Sequence, residues 1–197
     1  MQQTLNYRSF KIGDMDILRH KPGYSAYNVD TKLAILHIPK NASSAIKSST
    51  SVYTNWLPRT NIRKHDVKRV CVVLRDPIDR FLSTINMYIG GRPILSNFVD
   101  IKNNSNKFVL NSTNDAHFLQ QSCFLLDLDR DMIDFFYFND KVIEDINHYY
   151  GMSLDTSKVY TSNRIITHAD ENIIRQVYEK DYTLIESVNF VNLKKEK

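Results

Sequence analysis

An α/β fold built on a parallel sheet is predicted by three features of the chain. Short apolar runs at residues 33–38, 70–74 and 133–138 read as buried strands, and each is followed by a segment with helical periodicity. The chain has 197 residues and is 42% hydrophobic, enough for one core and too little for two comfortable ones. No internal repeat interrupts the alternation of strand and helix, so a single domain over 1–197 is expected, with its core at about 30–190 and helices on both faces of the sheet.

Residues 1–30 carry no clear pattern; Tyr7 to Ile17 fit a short strand or a turn. Leu33-Ala34-Ile35-Leu36-His37-Ile38 has the continuous apolar character of a central parallel strand, and Pro39 ends it. Ala42, Ala45, Ile46, Ser49 and Tyr53 recur at helical spacing, which predicts a helix starting near Ser43 or Ser44, either of which can cap it. Residues 54–66 read as a polar connection. Val70-Cys71-Val72-Val73-Leu74 is the second strand. Asp76-Pro77 then has the chemistry of a helix start: Asp76 at the N-cap, Pro77 at the first helical position and Asp79 where a capping box places its acid. Ile78, Phe81, Leu82, Ile85, Tyr88 and Ile89 form its apolar stripe, and Gly90-Gly91 ends it.

Residues 92–112, rich in Asn and Ser, predict a surface excursion on the substrate side, with a short helix near Leu95–Val99. A short helix is expected over 114–126 and a third strand over Ile133–Phe138. Val142, Ile143, Ile146, Tyr149 and Tyr150 mark a helix closed by Gly151. Asp170 caps a last helix, with Ile173, Ile174, Val177 and Tyr178 inward and the run continuing through Leu184 and Ile185.

Composition narrows the function classes. The net charge of +4 suits an anionic ligand, but no Lys/Arg block marks a nucleic-acid surface. Two cysteines, Cys71 and Cys123, make neither a disulfide framework nor a zinc pattern, and Cys71 belongs to a core strand. No basic segment followed by an apolar stretch opens the chain, and no apolar run approaches the roughly 20 residues that span a bilayer. A cytoplasmic protein without signal peptide or transmembrane segment is therefore the expectation.

Two loops carry the chemistry. Each leaves the carboxyl end of a strand and enters a helix, where exposed N–H groups and the helix dipole favour an anion. The first is Pro39-Lys40-Asn41-Ala42-Ser43-Ser44-Ala45: Lys40 supplies charge, Ser43 and Ser44 hydroxyls, and Ala42 and Ala45 allow close backbone approach. It lacks the G-x-x-x-x-G-K-[ST] spacing of a Walker A loop. In the second, Arg75 stands at the strand end and Ser83 two turns into the helix, a guanidinium fork and a hydroxyl that together suit one phosphate. Each loop by itself also fits an ordinary capped turn, with Lys40 in solvent and Arg75 paired to Asp76 or Asp79.

Taken together, His37–Ser44 and Arg75-Asp76-Pro77-Ile78-Asp79-Arg80-Phe81-Leu82-Ser83 resemble the sulfotransferases that use 3′-phosphoadenosine 5′-phosphosulfate (PAPS), especially the carbohydrate sulfotransferase branch. His117-Phe118-Leu119-Gln120-Gln121 looks like that family's His-aromatic-x-x-Gln segment. Phe136-Tyr137-Phe138 with Glu144 and Asp145 is similar to its later strand–helix unit, and Tyr178-x-x-Asp181-Tyr182 resembles its closing helix. The resemblance implies a three-layer P-loop-like fold, a first loop holding the 5′-phosphosulfate and an Arg75–Ser83 site holding the 3′-phosphate. The loop departs from the family in Asn41-Ala42-Ser43-Ser44, which keeps small residues and hydroxyls.

The implied reaction moves a sulfuryl group from PAPS to an acceptor hydroxyl or amine, on a saccharide by resemblance, leaving 3′-phosphoadenosine 5′-phosphate (PAP); it requires no metal. Lys40 is the candidate for stabilising charge on the departing phosphate. For the general base, the resemblance favours His65 in the connection between the loops, followed by His117, with Asp115 a further carboxylate candidate; a histidine suits the role near neutral pH. His37, at the strand end, reads as structural. Lys158–Arg164 is the candidate segment to close over the nucleotide, with Arg164 adding to the 3′-phosphate site. Two other functions fit less well: a non-catalytic module binding PAP, PAPS or a sulfated ligand, and a P-loop small-molecule kinase, for which the Walker A loop is missing.

Overall fold

Side-chain alternation sets the two faces of the central sheet. In β4 (Arg69–Leu74), Val70, Val72 and Leu74 join one buried cluster while Cys71 and Val73 join another. The same division runs through β5 (Ile133–Tyr137), where Ile133 and Phe135 face the first cluster and Phe136 the second. A strand covered on both faces is apolar at every position, which is why these segments read as continuous runs. Each buried side chain of this size contributes about 1.5–3 kcal/mol.

The computed structural model describes residues 24–48, 55–58, 62, 65–89, 116–125, 128–156 and 171–193. The expectations for Tyr7–Ile17, Gly90-Gly91, the 92–112 excursion, Asp115, Lys158–Arg164 and Asp170 lie outside these residues.

Five strands form one sheet in the order β3-β1-β2-β4-β5, with β1 at Tyr24–Asn28, β2 at Leu33–Leu36 and β3 at Asn55–Pro58. The expected parallel pairing holds for β2 with β4 and for β4 with β5. It does not hold for the other half: β1 runs antiparallel to both β2 and β3, so the sheet is mixed. The cause is local. The Asn28 side chain accepts hydrogen bonds from the Asp30 and Thr31 amides, and Lys32 takes a left-handed φ of 56°, so the chain turns back on itself directly before β2. The expected polar connection over 54–66 contains β3, which pairs with β1 and ends on Pro58, a residue suited to an edge strand.

Among the described residues, five helices accompany the strands: α1 (Ser43–Ser48), α2 (Pro77–Ile89), α3 (Val142–Tyr150), α4 (Glu171–Val177) and α5 (Glu179–Ser187). Ala45 and Ile46 of α1 and Val142, Ile143 and Ile146 of α3 pack on one face of the sheet. Phe124 of the Gln121–Leu125 turn and Leu184 of α5 pack on the other, so helices cover both faces and the class is α/β. The start of α2 follows its caps: Asp76 Oδ1 accepts from the Ile78 amide at 2.9 Å and the Asp79 amide at 3.1 Å, with Pro77 first in the helix.

Two helical expectations are corrected. The helix over 114–126 is a 3-10 turn at Gln121–Leu125. The single last helix is two, α4 and α5, separated at Tyr178. Tyr178 is buried and gives its hydroxyl proton to the Phe118 carbonyl at 2.9 Å, a contact that anchors the chain where the helix breaks. None of the described helices is long and apolar enough to cross a membrane.

Candidate functional site

The loops after β2 and β4 leave the same edge of the sheet because these strands are parallel neighbours. In open α/β sheets, ligand sites form outside the carboxyl ends of the strands. Here the two loops are bonded to one another: Arg75 Nη1 donates to the Lys40 carbonyl at 3.1 Å. That bond uses one of the five N–H donors of a guanidinium. The face of the same group lies 4.3 Å from the centre of the Phe138 ring, at the end of β5.

The first loop has an unusual backbone. Lys40 and Ala42 have φ of 71° and 58°, left-handed values that side chains with a Cβ seldom adopt. Strain of this kind persists only where surrounding bonds fix it. Those bonds are visible: Arg80 Nε donates to the Pro39 carbonyl at 3.1 Å, Arg75 holds the Lys40 carbonyl, and the Asn41 amide nitrogen donates to the Ile38 carbonyl at 3.2 Å. Two successive loop carbonyls are thus neutralised by guanidinium groups, which removes acceptors that would repel an anion.

Arg80 is 2% exposed and does more than hold Pro39. It donates to the Leu119 carbonyl at 2.7 Å and the Ala116 carbonyl at 3.3 Å, tying the segment around His117 to the first loop. Asp181, completely buried, adds a second anchor there, accepting from the Gln121 amide at 2.8 Å and the Ser122 amide at 2.9 Å. Burial raises its pKa, while these amides and the charge of Arg80 oppose the rise.

Gln121 sits at the centre. Its Oε1 accepts from the Arg75 amide at 2.9 Å, and its Nε2 donates to the Arg75 carbonyl at 2.8 Å. The same Oε1 accepts from Asn41 Nδ2, which also donates to the Val73 carbonyl at 2.8 Å. Gln121 and Asp181 fall within the segments quoted for the family resemblance, but neither was assigned a role from the sequence. Their partners are 46 to 80 residues away in the chain, from Arg75 to Asn41 for Gln121, and only the fold supplies them.

The remaining candidates divide clearly. Lys40 is half-buried in the first loop; Ser43 is buried and Ser44 exposed at the start of α1. The Ala45 side chain faces the core, and Asn41 turns its amide inward. Ser83 is buried on α2, on the same helix as Arg80. His117 is half-buried, and its carbonyl accepts from Thr84 Oγ1 at 3.3 Å. It also bears on His37, whose pKa is lowered by burial first and then by the charges of Lys47 and His117. Arg164 lies outside the described residues.

His65 stands apart from the two loops. It is exposed and stands just before β4, beside the Tyr27 ring at 6.0 Å between centroids. Its neighbour Asp66 forms an ion pair with Lys32, the residue preceding β2, and the Lys68 amide bonds to the Lys32 carbonyl. These contacts fix His65 at the amino edge of the sheet, opposite the two loops.

Next to the loops, Asp76 lies within electrostatic reach of Tyr137 and Tyr182. Burial, then the Asp76 charge, pushes the Tyr182 phenol up to about 12, and the Arg175 guanidinium stacks 4.6 Å above its ring. Among the described residues, no group of three or more His, Cys, Asp or Glu side chains is placed to hold a metal. No family model matches the chain, nor does any curated protein or solved structure reach significant similarity to it.

Proposed function

We propose that this chain is a PAPS-dependent sulfotransferase of P-loop-like topology acting on a hydroxyl or amine, with a saccharide as the favoured acceptor class. The observation that carries the reading is the joining of the two sequence-predicted anion loops through Arg75 and the Lys40 carbonyl. The strained backbone at Lys40 and Ala42 supports it, since left-handed residues in a loop between strand and helix turn successive amides toward one side.

PAPS supplies an activated sulfuryl group and leaves as PAP. In this reading Lys40 and the amides of residues 40–44 hold the 5′-phosphate end, and Lys40 balances the charge that grows there during transfer. Arg75 and Ser83 hold the 3′-phosphate. Arg75 is suited to this because its backbone is clamped on both sides by Gln121. His117 replaces His65 as the proposed base, because Arg80 binds carbonyls on both sides of it and also binds the first loop. Accepting the proton of the attacking hydroxyl or amine requires its neutral imidazole.

The reading is tested by calorimetric titration with PAP, ADP and ATP-Mg²⁺. PAP should bind more tightly than ADP. Arg75→Ala should remove most of that difference, about 2 kcal/mol for a charge-assisted bond to phosphate. Folded protein that does not bind PAP would overturn the assignment. PAP binding without sulfuryl transfer to any of a panel of glycans would instead favour a binding module.

A further inference from the structure

We propose that Gln121 is a positioning residue that couples the two loops into one unit, so that neither can move without the other. The proposal rests on the nucleotide reading above for its functional consequence, but the coupling itself rests on bonds seen within the protein. The Gln121 carboxamide spans both loops: it binds the Arg75 amide and carbonyl on one side and the Asn41 side chain on the other. Its own backbone is fixed by Asp181, and Gln121 is completely buried.

The orientation of the amide is dictated rather than chosen. Arg75 N–H and Asn41 Nδ2 are donors and require Oε1; the Arg75 carbonyl and Asp181 Oδ2 are acceptors and require Nε2. Asn41 is fixed in the same way, since the Val73 carbonyl and Gln121 Oε1 both require its Nδ2. A flipped amide at either position would face donor with donor or acceptor with acceptor. The chain of bonds therefore has one arrangement, running from Asp181 through Gln121 to Arg75 and Asn41. Of the four polar ends of these two carboxamides, three are bonded and Asn41 Oδ1 alone is buried without a partner; flipping either amide would leave more of them unmet, so the network is rigid in this geometry.

Such rigidity has a use in a two-phosphate site. The separation between the loops then selects ligands by the distance between their anionic groups. Loosening the clamp should relax that selection before it removes binding. Gln121→Met keeps the length and the burial while deleting both polar ends, and Asn41→Ala cuts the network at its far end without touching Arg75.

The test combines amide hydrogen exchange of the ligand-free protein with titration by PAP and ADP. In Gln121→Met, exchange should rise by at least about tenfold at the Arg75 and Asn41 amides, the scale of one to two lost hydrogen bonds, while α3 stays as protected as before. Asn41→Ala should raise exchange at the Arg75 amide, which Asn41 does not contact. In both variants the preference for PAP over ADP should fall about tenfold. Exchange that rises only at the substituted residue, or a loss shared equally by PAP and ADP, would overturn the coupling. If Gln121→Met does not fold, Asn41→Ala decides the question by the same two readouts. Wild-type protein that fails to bind PAP would sink the nucleotide reading, and the exchange arm would still judge the clamp.

Discussion

His37 shows how a single residue links the site to solution conditions. It ends the β2 segment and is half-buried beside the first loop. Burial first, and the nearby Lys47 charge second, lower its pKa from the ordinary value of 6.5. A histidine with a lowered pKa binds fewer protons in the folded state than in the unfolded chain across the interval between the two values. Stability therefore rises with pH through that interval and is complete above about 6.5. Acidification below that point should destabilise the protein until the folded-state value is passed. Urea unfolding at pH 7.5 and 5.5 checks this: His37→Gln should lose less stability on acidification than the parent. Equal losses would mean that His37 does not carry the effect.

At the scale of elements, the end of α3 is the clearest local case. Gly151 has φ of 64° and donates its amide proton to the Asn147 carbonyl, and the Met152 amide bonds to the same oxygen at 2.8 Å. The position is left-handed, where a Cβ costs about 1–2 kcal/mol although nothing lies within 4 Å of the one an alanine would add. Gly151→Ala should destabilise by about 1 kcal/mol, and Gly151→Asn by less, because asparagine tolerates this region. Denaturant midpoints for the pair would show it; equal midpoints for all three proteins would not fit a left-handed cap.

This cap was legible in the sequence, as were β2, β4 and β5, because each depends on local chemistry or on burial from both sides. β1 and β3 were not. Tyr24–Asn28 and Asn55–Pro58 have no long apolar run, and their pairing is settled by partners elsewhere in the sheet. The same distinction divides the site. Lys40 and Arg75 announce themselves by charge at strand ends. Gln121 and Asp181 are ordinary polar residues until the fold buries them against the two loops. The break at Tyr178 was hidden for that reason too: its apolar spacing continues a helix, while its hydroxyl bond to Phe118 belongs to tertiary structure.

At the scale of the whole molecule, a five-stranded sheet has two edges to protect. One is β3, which carries Pro58. The other is β5, and it is covered by the chain beyond α5. Phe190 makes a parallel bridge with Phe135, and the 3-10 turn Val191–Leu193 follows. Asn192 then acts as a substitute strand residue. Its Oδ1 accepts from the Tyr137 amide at 2.8 Å, and its Nδ2 donates to the Tyr137 carbonyl at 2.9 Å and to Asp145 Oδ2 at 3.0 Å. One side chain thus satisfies the outward backbone groups of β5 at the end that leads into Phe138, beneath the Arg75 guanidinium. Asn192→Ala should cost about 2 kcal/mol for three bonds of about 0.5–1.5 kcal/mol each, partly offset by water. It should also increase concentration-dependent association, since it exposes part of an edge strand. Asn192→Asp should be worse, because it loses both donated bonds and faces Asp145 with a second carboxylate. Urea midpoints and light scattering over a concentration series measure the two effects. An alanine variant as stable and as monodisperse as the parent would show that the segment after α5 does not seal this edge.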